Sequence, residues 1–411
     1  MIKTELIKVV STVFYKFGIT IFNAATLALI SWFYGSEGVA FFALVRTVPL
    51  IFTILTDLGL SHSYSYMINS RKCNVSTVIS SQVVLFLMLS LLQITLWYLM
   101  TLGMFDMISV PIDIYNSPHL MLLPPLMVAS FHFVNISRAM GELKQANNSL
   151  ILIELLIFST VGFLVFFDKD IKLLNECVTL SYICTISYYT IKNFSRFKGV
   201  IKFKISKPEI KEIISFGVKS QLGNGCQILN YRFDQIIVNH FLGSELLGVY
   251  VIAVKFAEIF RVINTSIIFV FEPFLSKIDK KDSHQIIIKN SLIVFIANFL
   301  IIFLSSLVVP YIIPVVFDDW ALSALPSFYI IVLGLVVSGG NALTIAYFLG
   351  NGHPQYVTSS IGGGFLCNII LNLILTPYYG LIGASISSAS SYLISTIVLW
   401  TLFIYKGKSN G

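Results

Sequence analysis

Seven ionisable residues stand in two long apolar runs, where a membrane helix should have none. The runs lie between Ser215 and Lys277 and are joined by Phe241-Leu242-Gly243-Ser244-Glu245. The first run carries Lys219, Arg232 and Asp234; the second carries Lys255, Glu258, Arg261 and Glu272. A charge at the centre of a bilayer costs roughly 2.5–3.5 kcal/mol on the insertion scale. Such groups should therefore face one another or a wet path through the membrane. At about 100° per residue, Lys219, Asn224, Gln227, Asn230 and Asp234 share one face of the first helix. Arg232 falls nearly opposite, and Gly223 and Gly225 are placed to bend that helix. On the second, Glu258, Arg261, Thr265 and Glu272 share a face with Lys255 at its edge. The spacing of Glu258 and Arg261 predicts an ion pair.

The first half has charges of the same kind. Lys16 shares a face with Thr12, Thr20 and Asn23, and Arg46 shares one with Thr53 and Asp57. Six cations (Lys16, Arg46, Lys219, Arg232, Lys255 and Arg261) then stand against four acids (Asp57, Asp234, Glu258 and Glu272). A cavity holding all ten would be net positive and would attract an anion, with Asn224, Gln227 and Asn230 as polar lining. Arginine suits phosphate there because its planar fork donates two parallel hydrogen bonds. A blander reading exists for each residue. Lys219 and Arg232 could snorkel to a surface, and Lys255, Glu258 and Arg261 could neutralise one another as a ladder. Burying three charges only to cancel them is costly, which favours a role in binding. Asp57 and Glu272 lie near span ends, where capping is as good an explanation as coupling. Glu154 stands alone in its span, either as a protonatable coupling group or as a buried neutral acid. The six histidines have no metal-ligand spacing, and the five cysteines read as small buried hydrophobes. No phosphate loop, HExxH or nucleophile elbow occurs, so neither an enzyme nor a metal or cofactor is expected. An inward proton or sodium flux could drive the reset of such a transporter.

The elements that position these residues follow from composition. Of 411 residues, 56% are hydrophobic and 11% charged, whereas a soluble domain carries about 25% charged residues. The expected fold is an all-α polytopic membrane protein of about twelve spans, at 9–33, 39–60, 78–103, 116–137, 148–167, 173–191, 211–241, 247–275, 286–309, 325–349, 356–376 and 381–404. The sixth is the most polar. With the N-terminus inside, 19 of the 27 Lys and Arg residues fall in inner loops and two, Lys169 and Lys172, outside. That asymmetry satisfies the positive-inside rule and puts both termini in the cytoplasm. Basic loops beside spans also account for the net charge of +7 without nucleic acid. The basic stretch at 196–210 divides the chain into two six-helix bundles, 1–195 and 211–411. The halves share a motif: Phe33-Tyr34-Gly35-Ser36-Glu37 matches Phe241-Leu242-Gly243-Ser244-Glu245, and a cation follows each, Arg46 and Lys255. Such internal repeats characterise transporters.

Asn230-Tyr231-Arg232-Phe233-Asp234, followed by FLGSELLGVYVIAVKFAE, resembles the start of the second half of the O-antigen flippases, the Wzx-type transporters of the multidrug/oligosaccharidyl-lipid/polysaccharide exporter superfamily. The end of the chain agrees, with Asn351, Gly352, Asn368, Asn372, Pro377, Gly380 and Gly383 in the last two spans. The resemblance implies a V-shaped pair of six-helix bundles around a cationic cavity in a bacterial inner membrane. It implies movement of an undecaprenyl-pyrophosphate-linked oligosaccharide from the cytoplasmic to the periplasmic leaflet. A glycan polymerase and a chain-length regulator would be its protein partners. The rivals are a cation-coupled drug antiporter of the same superfamily, which would want an acidic cavity, and a membrane glycan polymerase or transferase. The outer loops are short for an enzyme that must hold a glycan acceptor.

Overall fold

The computed structural model describes residues 2–69, 75–102, 117–198, 207–275 and 280–409. The loop charges Arg71, Lys72, Asp106, Asp113, Lys202, Lys204 and Lys277 lie outside them, as does most of the 196–210 stretch. Within the described residues the chain is helical throughout. The helices are α1 (Ile2–Thr56), α2 (Leu60–Asn69), α3 (Val75–Thr101), α4 (Leu123–Ala139), α5 (Leu143–Phe166) and α6 (Leu174–Lys198). After them come α7 (Lys207–Leu275), α8 (Lys280–Phe317), α9 (Leu325–Gly339), α10 (Ala342–Gly350) and α11 (Pro354–Ser409).

Three of these are pairs of arms. α1 breaks at Gly35, α7 at Gly243 and α11 at Gly380, each with positive φ. Gly35 (φ 65°, ψ −159°) and Gly243 (φ 85°, ψ 175°) adopt a backbone region essentially closed to residues with a Cβ. They are the glycines of the repeated Gly-Ser-Glu motif, so the repeat is a repeated turn. Counting arms, α1, α7 and α11 contribute two each and α3, α4, α5, α6, α8 and α9 one each, which is twelve, as the hydropathy predicts. Seven described stretches have the length and apolarity to cross a bilayer, two of them being the paired arms of α1 and α11. α6 and α7 fall outside that set because of polar and charged residues. α6 is nonetheless a 25-residue helix packed on α4 and α5.

The chain forms two compact units. The first comprises Met1–Phe33 and Phe41–Gly225; the second comprises Tyr34–Ala40 and Cys226–Gly411. The start of α7 therefore belongs to the first unit. Gly217 lies against the Leu58 carbonyl, Gln221 Nε2 donates to the Ile54 carbonyl at 2.6 Å, and Ser63 Oγ donates to the Ile213 carbonyl at 2.8 Å. The Tyr66 and Phe216 rings stack at 4.1 Å. The first Gly-Ser-Glu turn belongs to the second unit, where the Ser36 backbone sits so close to Gly248 that a side chain there would overlap it. The first unit is cored by Leu60, Met67, Val78, Leu85, Ile136 and Ile213, and the second by Leu275, Ile287, Leu343, Phe348, Leu399 and Phe403. Large apolar side chains are exposed along α3 (Leu87, Met88, Leu91) and α8 (Leu292, Leu300, Leu304, Leu307). In hydrocarbon such a surface is solvated, and a helix satisfies its interior backbone amides internally.

Candidate functional site

The second unit gathers three cations on one carboxylate. Glu258 and Arg261 lie one turn apart on the outgoing arm of α7, and Arg261 Nη2 reaches Glu258 Oε1 at 2.6 Å. Lys255, one turn earlier, places Nζ 3.4 Å from Oε2. Arg232 comes from the incoming arm and puts Nη1 2.9 Å from Oε1. The break at Gly243 makes this possible, because it folds the two arms back so that side chains from both can meet. Arg261 also lies over the Tyr231 ring, 3.6 Å from its centroid, which fixes the guanidinium by cation–π attraction. The four side chains remain between 17% and 26% exposed, so the cluster is partly accessible. Behind it, between Asp234, Ser388 and Tyr392, is a recess of about 10 Å³, space for roughly one water. Counting Asp234, three cations face two carboxylates, and the excess positive charge is what an anion would answer.

A polar ladder backs this cluster. Asn368 Nδ2 donates to Asn230 Oδ1 at 2.9 Å, and Ser391 Oγ donates to the same oxygen at 2.9 Å. Asn372 Nδ2 donates to Asn368 Oδ1 at 2.6 Å, and Thr376 Oγ1 donates to Asn372 Oδ1 at 2.9 Å. All five residues are buried. Asn230, expected to line a cavity, instead ties α7 to α11. Asp234 is buried beside it and accepts from Tyr250 Oη at 2.7 Å, Ser388 Oγ at 3.3 Å and the Gln235 amide at 2.8 Å.

The first unit has its own half-buried ion pair. Arg46 grips Glu154 with both ends of its fork, Nη1 to Oε2 at 3.1 Å and Nη2 to Oε1 at 2.5 Å. Asn23 Nδ2 donates to Oε2 at 3.3 Å. Glu154 is thus not alone: its partner is on another helix, 108 positions away. Asp57 and Arg46, placed together by helical spacing, part company. Asp57 pairs with His132 Nε2 at 2.9 Å and accepts from Ser61 Oγ at 3.3 Å. Lys16 and Lys219 are exposed, and Asn224 and Gln227 are half-buried, Gln227 donating to the Tyr231 hydroxyl at 3.3 Å. Glu272 lies on the same arm as Glu258, roughly 21 Å further along at 1.5 Å per residue. Of the thirteen residues predicted from sequence, Arg232, Lys255, Glu258 and Arg261 come together in one cluster, with Asp234 behind. Tyr231, Tyr392, Ser388 and His132 were missed, since none carries a charge that stands out in an apolar run.

The fold and these buried charges define a polytopic α-helical membrane protein of transporter architecture. Residues 6–279 match the family described as polysaccharide biosynthesis protein, and the chain belongs to that family. A curated relative, an uncharacterized membrane protein of Methanocaldococcus jannaschii, is 26% identical over 208 residues; the aligned stretch covers 49% of this chain and 41% of that one. Among solved structures, an inward-facing multidrug resistance MATE family transporter of the MOP superfamily superposes with a TM-score of 0.79 at 16% identity, covering 95% of each chain. A MOP superfamily transporter from Pyrococcus furiosus, described by the reversed polarity of its binding pocket, gives 0.71 at 14% identity over 98% and 94% of the two chains. The lipid II flippase MurJ, in an inward closed conformation, gives 0.68 at 17% identity over 96% and 87%. These likenesses establish a common fold.

Proposed function

We propose that this protein is a flippase that carries an oligosaccharide linked to undecaprenyl pyrophosphate, an O-antigen repeat unit or a related glycan, from the cytoplasmic to the periplasmic leaflet by alternating access. The observation that carries the reading is the cluster of Arg232, Lys255 and Arg261 on Glu258, cationic in excess and accessible inside a membrane protein. A pyrophosphate cannot cross hydrocarbon unaided, and two guanidinium forks with an ammonium offer it charge-assisted hydrogen bonds in place of water. The family description supports a role in polysaccharide biosynthesis, and the fold is one that a lipid II flippase also uses. In this reading the protein sits in a bacterial inner membrane with both termini in the cytoplasm. It performs no bond chemistry, and a proton or sodium gradient drives its reset.

The test is to place the purified protein in vesicles loaded with the lipid-linked sugar on one leaflet. Movement to the other leaflet without lengthening supports the flippase. Lengthening of the glycan indicates a polymerase. Export of an organic cation with no sugar movement indicates a drug antiporter.

A further inference from the structure

The first unit contains a second site, unrelated to the cationic cluster. A half-enclosed cavity of about 580 Å³ lies between α3 and α6, with α4 as its floor. Ile79, Val83 and Phe86 form one wall, Ile186 and Tyr189 the other, and Phe133 and Ile136 the base. The size falls within the range of about 300–1,000 Å³ usual for small-molecule pockets. Its lining residues belong to the start of α3, the end of α4, the start of α5 and the end of α6, so it sits at the end of the unit where the chain turns between α4 and α5. Ser137, Gln145, Thr190 and Asn193 line that end, and Gln82, Ser130, His132, Ser149 and Thr185 stand among the apolar residues of the rest. Glu142 lines it too, and among the described residues Arg138, Lys144 and Lys192, which stand outside the lining, are exposed at the same ends of α4, α5 and α6. Lys192 holds its ammonium over Tyr188 and the wall residue Tyr189, 5.7 and 5.8 Å from the ring centroids. On the outer flank, Leu87, Met88 and Leu91 of α3 and Ile191 of α6 are exposed and continue the apolar surface outward.

An apolar slot whose mouth is polar and basic has the shape of an amphiphile with a negative head. We propose that it holds one acyl chain of an anionic phospholipid, with the headgroup phosphate among Arg138, Lys144 and Lys192. A bilayer phospholipid supplies both parts and is present as the solvent itself. Basic pockets between membrane helices bind such headgroups, and each Lys or Arg near the surface strengthens the attraction. The assignment does not rest on sugar transport.

The full chain, purified in mild detergent, can be titrated with phosphatidylglycerol and phosphatidylcholine and read by native mass spectrometry. The wild type should retain one tightly held phosphatidylglycerol. Ala129→Phe, which fills the cavity, should lose it. Lys192→Gln leaves the core untouched and should lower the preference for phosphatidylglycerol about fivefold, whereas Lys172→Gln, beyond the opposite end of α6, should not change it. Retention equal to wild type in both Ala129→Phe and Lys192→Gln would overturn the assignment. So would displacement of the phospholipid by a polyprenyl phosphate added at equal concentration, since the cavity would then serve the prenyl chain.

Discussion

Arg232 and Arg261 both reach one atom, Oε1 of Glu258, with their Nη1 and Nη2 at 2.9 and 2.6 Å. Two guanidiniums this near repel each other, and the carboxylate holds them together. Under the proposed function, a pyrophosphate would present several oxygens and take both forks from Glu258 at once, and the ion pairs would keep the arginines oriented until it arrives. Arg261→Ala should abolish surface glycan while the protein reaches the membrane at its normal level. Arg261→Lys should retain part of the activity, because the charge survives and the fork does not. Combining Arg261→Ala with Glu258→Ala should leave transport absent. Recovery in the double variant, measured as glycan display against membrane protein level, would make Arg261 scaffolding.

The Arg46–Glu154 pair should behave in the opposite way. Glu154→Gln removes the carboxylate that a half-buried guanidinium grips, and the loss should fall below the roughly 3–5 kcal/mol of breaking a fully buried pair. Arg46→Ala with Glu154→Ala should recover much of that loss. Thermal unfolding in detergent of the single and double variants measures both; an additive double variant would show that the pair is not coupled.

Asp234 is the buried carboxylate whose direct partners are hydroxyls, from Tyr250 and Ser388, and a backbone amide. Hydroxyls can serve a carboxylate as donors or a carboxylic acid as acceptors, so the site can accommodate either state. Asp234→Asn should therefore flatten the dependence of transport on external pH while preserving the fold. Unchanged pH dependence would remove Asp234 as the coupling group, and the same assay on Asp57, Glu258 and Glu272 amide variants would follow.

Gly243→Ala tests the turn alone. Nothing lies within 4 Å of the position a methyl would take, so any effect is backbone strain. The expected loss is about 1–3 kcal/mol, read as a lower unfolding midpoint, and Gly35→Ala should match it.

Reporter fusions after Lys204 and Lys408 should report cytoplasm, and fusions beside Glu245 and Asp319 should report periplasm. A periplasmic signal at Lys204 would break the even count of spans in the first half.

Much of the fold was legible because apolar length and loop charge are local properties. The Gly-Ser-Glu repeat went further: it marked two positive-φ turns, since few residues other than glycine survive there. The pairing of Glu258 with Arg261 was legible for the same reason, being set by helical spacing within one arm. Arg232 was not. A helical wheel treats an arm as an isolated cylinder, and Arg232 finds its partner on the other arm, across the turn. Arg46 shows the same limit. Its spacing set it on a face with Thr53 and Asp57, but the carboxylate it grips, Glu154, comes from α5. Asn230 failed in a third way: a polar residue in an apolar run reads as facing water, yet here Asn368 and Ser391 supply its hydrogen bonds inside the protein.

The assignment of Tyr34–Ala40 to the second unit has a consequence for biosynthesis. The rest of that unit begins at Cys226, so the ribosome must add 186 more residues before the first Gly-Ser-Glu turn has its neighbours. At about 5–20 residues per second this takes roughly ten to forty seconds. Ser36 waits longer still, because Gly248 follows Cys226 by a further 22 residues, and until then the nascent chain presents an unfinished hairpin to whatever insertase or chaperone attends its integration. Slowing translation downstream of Gly225 would lengthen that wait, and proteolysis of the stalled chain should then cut first at residues 34–40.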